Sequence, residues 1–225
     1  MGADLPLISA YFQTLIAILT SPRETFERLG WRGGMGPPLT FTITSYGTAV
    51  ILEFAIAFAA LMLGLRFIPG MPPGQQQRLA AVGFCFMVGA IFVFAFVMVI
   101  ASILLAIALF LQAGFAHLAL FMVGGAKENF ETTFRASSYV FGALLLPEML
   151  LTIIPRLPPE VMWFTTIPLV IYLGFALTGT QRIAAWQGFV AAFLGVGFFY
   201  AAMFASAVAA FQAAGVDPSE LFADR

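Results

Sequence analysis

Chemistry inside a bilayer needs polar groups in apolar surroundings, and this sequence offers few. Glu53 lies within the apolar run from Leu39 to Leu65, and Glu148 within the run from Ser138 to Ile154. An ionised acid at the bilayer centre costs about 3 kcal/mol on insertion scales, so each must be neutral, partnered or near water. Two readings follow: a proton or cation pathway, or a neutral acid whose interhelical hydrogen bond fixes packing. The absence of a base in either run favours the second. The two acids are expected to share one polar site between the first and third spans.

His117 is the single histidine and Cys85 the single cysteine. Zinc and haem sites need several ligands, so no metal or other cofactor is expected. His117 reads as a capping or interfacial residue, and Cys85 as a small apolar one. The sequence contains neither His-Glu-x-x-His nor Gly-x-Ser-x-Gly, and "GVGFFY" at 195–200 is an apolar stretch, not a phosphate loop. No catalytic residue is expected, and the chain reads as non-enzymatic. Arg135 and Arg182 have the chemistry to hold a lipid phosphate at the inner face, or to act as positive anchors.

The elements that carry these residues follow from composition. Of 225 residues 61% are hydrophobic and 9% charged, whereas soluble domains carry roughly 25% charge. Lipid must solvate most of such a chain. A net charge of −1 implies no nucleic-acid partner.

An all-α polytopic membrane bundle is therefore expected, in three parts: a cytoplasmic segment 1–37 with interfacial helices, a membrane domain 38–214, and a polar tail 215–225. In "LPLISAYFQTLIAIL", residues 5–19, the residues Ile8, Tyr11, Phe12, Leu15 and Leu19 recur at helical spacing. The segment is too short to span and reads as an amphipathic helix flat on the interface. "SPRETFERL" then predicts a capping box, with Ser21 as N-cap, Pro22 first in the helix and Glu24 reaching back. Phe26 and Leu29 share one face of that short helix.

Five spans are expected: 39–65, one within 79–126, 138–154, 161–177 and 183–214. Residues 79–126 contain no charged residue and are long enough for two spans, which would raise the count to six. A single span near 81–105 is expected, with a kinked continuation to Val123 softened at "LQAGFAH". "RFIPGMPPGQQQR" reads as a loop. In the last span Ala201, Ala205 and Ala209 form a small-residue stripe suited to close helix approach. With five spans, Arg23, Arg28, Arg32, Lys127, Arg135 and Arg182 fall on one side and Arg66, Arg78, Arg156 and Arg225 on the other. That bias predicts a cytoplasmic N-terminus.

Between the second and third expected spans, "GGAKENFETTFRASSY" places Lys127, Glu128, Glu131 and Arg135 within nine positions. Gly124 and Gly125 are expected to stop one helix and Asn129 to cap the next. Phe130, Phe134, Ser138 and Phe141 would share a face, and Lys127, Glu131 and Arg135, spaced by four, would pair along another.

The stretch "GGAKENFETTFRASSYVFGALLLP" resembles the pattern of the Yip family, the Ypt/Rab-interacting membrane proteins and their prokaryotic relatives. The resemblance is carried by Gly124, Gly125, Phe130, Thr133, Phe134, Arg135, Tyr139 and Pro147. Pro22 and Phe26 of "LTSPRETFERL" are similar to the Pro-x-x-x-Phe segment of prokaryotic members, and "HLALFMVGG" and "IIP" also fit. The resemblance implies five spans, a cytoplasmic N-terminus and no catalytic activity. Eukaryotic members act in Golgi and ER trafficking through Rab-type GTPases. This chain has no long region before its first span, which implies a prokaryotic-type member in the bacterial cytoplasmic membrane.

The expected function is that of an adaptor or bilayer organiser, whose partners are the bilayer and a membrane or peripheral protein; a homo-oligomer is compatible with it. The alternatives are a small transporter using Glu53 and Glu148, and an accessory subunit of a larger membrane complex.

Overall fold

The computed structural model describes residues 7–29, 34–66, 73–152 and 161–214. Seven α-helices and no strand occur among them: α1 (Leu7–Thr20), α2 (Pro22–Arg28), α3 (Gly36–Arg66), α4 (Pro73–Met122), α5 (Phe130–Thr152), α6 (Val161–Gln181) and α7 (Ala185–Ala213). Among the described residues three stretches are long and apolar enough to cross a membrane: Gly36–Ala60, Val93–Met122 and Ala185–Ala213. The chain is a helical membrane protein.

The charge-free run forms one helix. α4 continues without a turn for 50 residues, about 75 Å at 1.5 Å per residue. Gln112 and Gly114 do not interrupt it, and the apolar stretch Val93–Met122 overlaps the expected 81–105 over residues 93–105 and continues to the end of the helix. Gln75–Gln77, expected in a loop, belong to the helix because Pro73 stands at its first position, where no N–H is needed. The remaining loop residues 67–72, the segment 153–160 with Arg156, Trp31, Arg32 and the tail with Arg225 lie outside the described residues, as do the side chains of Arg66, Cys85 and Trp163.

α5 and α6 occupy the centre. α5 packs against α3, α4, α6 and α1, while α6 packs against α5, α7 and α2. Val140, Ala143, Leu173, Ala176 and Leu177 are fully buried there. α3 and α5 run side by side in the same direction. Thr42 donates to the Ser138 carbonyl at 2.7 Å, and a Cβ on Gly142 would stand 3.0 Å from Thr42 Cα. Away from this core, large apolar side chains of α3, α4 and α7 point outward, among them Ile51 (61% exposed), Phe96 (68%) and Phe204 (67%). Lipid is as apolar as the core, so such faces need no protein cover.

Three packing expectations are corrected. In α1 the buried side is Leu15 and Ile18, with Tyr11 and Leu19 half-buried, whereas Ile8, Phe12 and Ile16 are exposed. The helix therefore presents an apolar side to the bundle as well as one to the outside. Tyr11 donates to Ser45 Oγ at 3.0 Å and Tyr172 of α6 donates to the Leu19 carbonyl at 2.8 Å, which ties α1 to α3 and α6. In α2 the helix begins at Pro22 as expected, but Ser21 makes no side-chain cap. The backbone N–H of Ser21 already donates to the Ala17 carbonyl, so Glu24 has no donor to reach, and it meets Arg28 at 3.5 Å instead.

The third correction concerns α7. Ala201, Ala205 and Ala209 are exposed. The close approach lies a few turns earlier. A Cβ on Gly195 would come within 2.6 Å of Ala116 Cα in α4, and one on Gly188 within 2.8 Å of the Gly174 carbonyl in α6. Gly188, Ala191, Ala192 and Gly195 are all buried. Gly195→Ala should destabilise the bundle by about 1–3 kcal/mol through overpacking. Gly197→Ala, which meets nothing within 4 Å, should be neutral or stabilise by about 0.5–1 kcal/mol. Thermal melts in one detergent compare the two.

Candidate functional site

Polar side chains concentrate where α4, α5, α6 and α7 meet the elbow. α4 ends in a Schellman arrangement. Gly124 has φ +68°, Gly125 N–H donates to the Leu120 carbonyl at 2.8 Å, and Gly124 N–H to the Phe121 carbonyl at 3.2 Å. Gly125 is buried under Ile183, whose Cδ1 would lie 3.1 Å from an added Cβ. Asn129 then caps α5, its Oδ1 accepting from Thr132 N–H at 3.1 Å and Thr132 Oγ1 at 3.0 Å. Both glycine and asparagine expectations hold.

The fully buried amide of Gln181, the last residue of α6, fixes this elbow to the rest of the molecule. Its Oε1 accepts from the backbone N–H groups of Lys127 at 3.1 Å and Glu128 at 2.7 Å. Its Nε2 donates to Thr133 Oγ1 at 3.1 Å, and Thr133 Oγ1 in turn meets His117 Nδ1 at 2.8 Å. Two further bonds join the elbow to the turn between α6 and α7. Gln187 donates to the Val123 carbonyl at 2.9 Å and Lys127 Nζ to the Arg182 carbonyl at 3.1 Å. Arg182 holds a left-handed backbone at φ 51° to make that turn.

The expected charge ladder does not form. No ion pair joins Lys127, Glu131 and Arg135; α5 starts at Phe130, so Lys127 stands outside it, and Glu131 and Arg135, both within it, are not paired. Ion pairs form instead along α2, Arg23 with Glu27 at 2.9 Å and Arg28 with Glu24 at 3.5 Å. The Phe stripe of α5 faces protein. Phe134 is fully buried, its ring 4.4 Å from Phe110, and Phe130 and Phe141 pack on the same cluster.

His117 is held between Thr133 and the rings of Phe121 and Phe130. No group of three metal-ligating side chains occurs among the described residues. Glu53 and Glu148 are half-buried on the two parallel helices α3 and α5. Thr42 lies opposite Ser138, so Glu53, 11 residues further on, and Glu148, 10 further on, stand at similar depth. No hydrogen bond or ion pair joins them. Pro147 sits within α5 and is also half-buried.

Other motif residues converge although they are far apart in sequence. Phe26, 1% exposed, inserts between α2 and α6, where Gly179 leaves room: a Cβ there would lie 3.2 Å from Phe26 Cβ. Beside it a narrow cleft of about 20 Å³, open to the outside, is lined by Phe26, Glu27, Thr132, Arg135, Tyr139 and Thr180, among others. Pro22 sets the start of the helix that roofs it. Residues missed from sequence are Gln181, Gln112 and Ser137, all buried. The run "TGTQR" at 178–182, polar at the end of an apolar helix, carries the signal for Gln181.

No family model matches the chain, and neither a curated protein nor a solved structure shows similarity to it.

Gln181→Ala leaves the buried Glu128 N–H without its acceptor and takes one partner each from Lys127 N–H and Thr133, which keep the Gly125 carbonyl and His117, so it should cost about 1–3 kcal/mol. Its specific mark is faster hydrogen exchange at the Lys127 and Glu128 amides, while amides in the middle of α6 keep their protection.

Proposed function

We propose that the chain is a non-enzymatic, Yip-like protein of the bacterial cytoplasmic membrane, in which α3–α7 form five spans. Its N-terminus lies in the cytoplasm, α1 rests at the interface, and the protein docks a membrane or peripheral protein partner at its cytoplasmic end. The observation that carries this reading is the joint at Gln181. It fixes the elbow to the end of α6, on which α2 also packs, so that these segments form one shaped platform with five basic residues, Arg23, Arg28, Lys127, Arg135 and Arg182. Slack loops would expose charge without presenting a surface. The alternating direction of α3 to α7 puts all three of those segments at one end, as five spans require. The motif residues Phe26, Arg135 and Tyr139 line one cleft, which supports the family resemblance.

Single cysteines placed at Glu128 and Arg182, in a background with Cys85→Ser, should react with an impermeant maleimide only when the cytoplasmic face is open. Labelling from the outside removes the topology. Phe130 and Phe134 are packed inside, so docking is tested at the rim. Arg28→Glu with Glu131→Lys should lower crosslinked partner recovery from membranes by about tenfold, and unchanged recovery rejects the platform.

A second reading, transport, is favoured by the level placement of Glu53 and Glu148 on adjacent helices. Reconstituted vesicles should then show pH-dependent flux that Glu53→Gln with Glu148→Gln abolishes. Vesicles that show no such flux end that reading.

A further inference from the structure

We infer that the cleft between α2 and the ends of α5 and α6 binds the phosphate of an anionic lipid headgroup, with Arg135 and Tyr139 as its donors. The inference rests on the cytoplasmic placement proposed above, but not on the docking partner.

Arg135 and Tyr139 are one helical turn apart on α5 and both line the cleft. Among the described residues no carboxylate comes within ion-pair distance of the Arg135 guanidinium, and neither Arg135 nor the Tyr139 hydroxyl makes a hydrogen bond. The one acid in the lining, Glu27, is already engaged by Arg23 at 2.9 Å. The other two hydroxyls are also occupied, Thr132 with Asn129 and Thr180 with the Ala176 carbonyl. The cleft thus presents two uncommitted donors and no uncommitted carboxylate. A planar guanidinium fork beside a phenol matches the oxygens of a phosphate.

On the outer side, a groove lined by Arg23, Glu27, Thr178, Gly179, Arg182 and Ile183 shares Glu27 and Gly179 with the cleft. Two more basic side chains therefore border the opening.

Depth selects a lipid as the source. Arg135 stands five residues inside α5, about 8 Å below the elbow, which is the thickness of the headgroup region. Phe12 and Ile16 of α1, which packs on both α2 and α5, point outward with 48% and 57% exposure. They offer acyl chains an apolar surface on a helix that packs on the two elements lining the cleft.

The test is lipid retention by the full-length protein, read by native mass spectrometry after purification from bilayers of phosphatidylglycerol and phosphatidylcholine. Wild type should keep phosphatidylglycerol preferentially. Arg135→Gln should lower that retention by about tenfold and Tyr139→Phe severalfold, with phosphatidylcholine unaffected. Arg135→Lys should retain part of it, and the remote Arg78→Gln all of it. If Arg135→Gln does not fold, Tyr139→Phe and Arg135→Lys carry the comparison. Equal retention across folded variants overturns the site. Stabilisation of the wild type by millimolar inorganic phosphate, with no effect of phosphatidylglycerol, overturns the lipid assignment. Partner recovery unchanged by Tyr139→Phe while lipid is lost separates this cleft from the docking platform and supports it.

Discussion

One buried side-chain amide holds the polar end of this molecule in shape. Gln181 ends α6 with both amide atoms engaged, accepting from two backbone N–H groups of the elbow and donating to Thr133 of α5. A backbone leaving one helix and entering another must satisfy its N–H groups before it can be buried. Here a side chain from a third helix does so. The position of the elbow therefore depends on α6, and α6 in turn is placed by α7 through Gly188 and by α2 through Gly179. Leucine at 181 would fill similar space and leave the Glu128 N–H without an acceptor.

Close helix approach is the second requirement, and it is met by glycine at points of contact. Gly142, Gly174, Gly188 and Gly195 each sit where a Cβ would meet another helix within about 3 Å. Helix association in lipid gains little from hiding apolar surface, so packing and polar bonds must supply it. The buried hydroxyls of Thr42 and Thr133 supply the polar part. These contacts cluster toward the elbow end, and the far parts of α3, α4 and α7 carry their outward apolar side chains instead.

The sequence makes element existence legible, because long apolar runs and strong stop signals are local properties. The helix start at Pro22, the glycine stop at Gly124 and the Asn129 cap follow from backbone chemistry within a few residues. What each face touches is not local. Ala201, Ala205 and Ala209 have the same spacing as a packing stripe, yet the partner helix lies against Gly195 and Gly188. Lys127 and Glu131 have ladder spacing, yet the helix begins between them. The Phe stripe of α5 is equally compatible with lipid and with Phe110 of α4, and only the register of two helices decides. Gln181 and the cleft were invisible for the same reason, since their partners lie 48 to 54 residues away or more.

The two central helices carry their polar residues toward the elbow end. α5 carries Thr132, Thr133, Ser137 and Ser138, and α6 carries Thr178, Thr180 and Gln181. Such residues are costly against lipid and are placed inside the bundle, where Thr133 and Gln181 bond between helices and Thr178 and Thr180 bond to carbonyls of their own helix. The same sorting explains Arg135. It cannot enter the dry interior beside Ser137 and Ser138, and it cannot face acyl chains. The rim of α5 under α2 is the level at which a guanidinium can stay near the bundle while still reaching an anion.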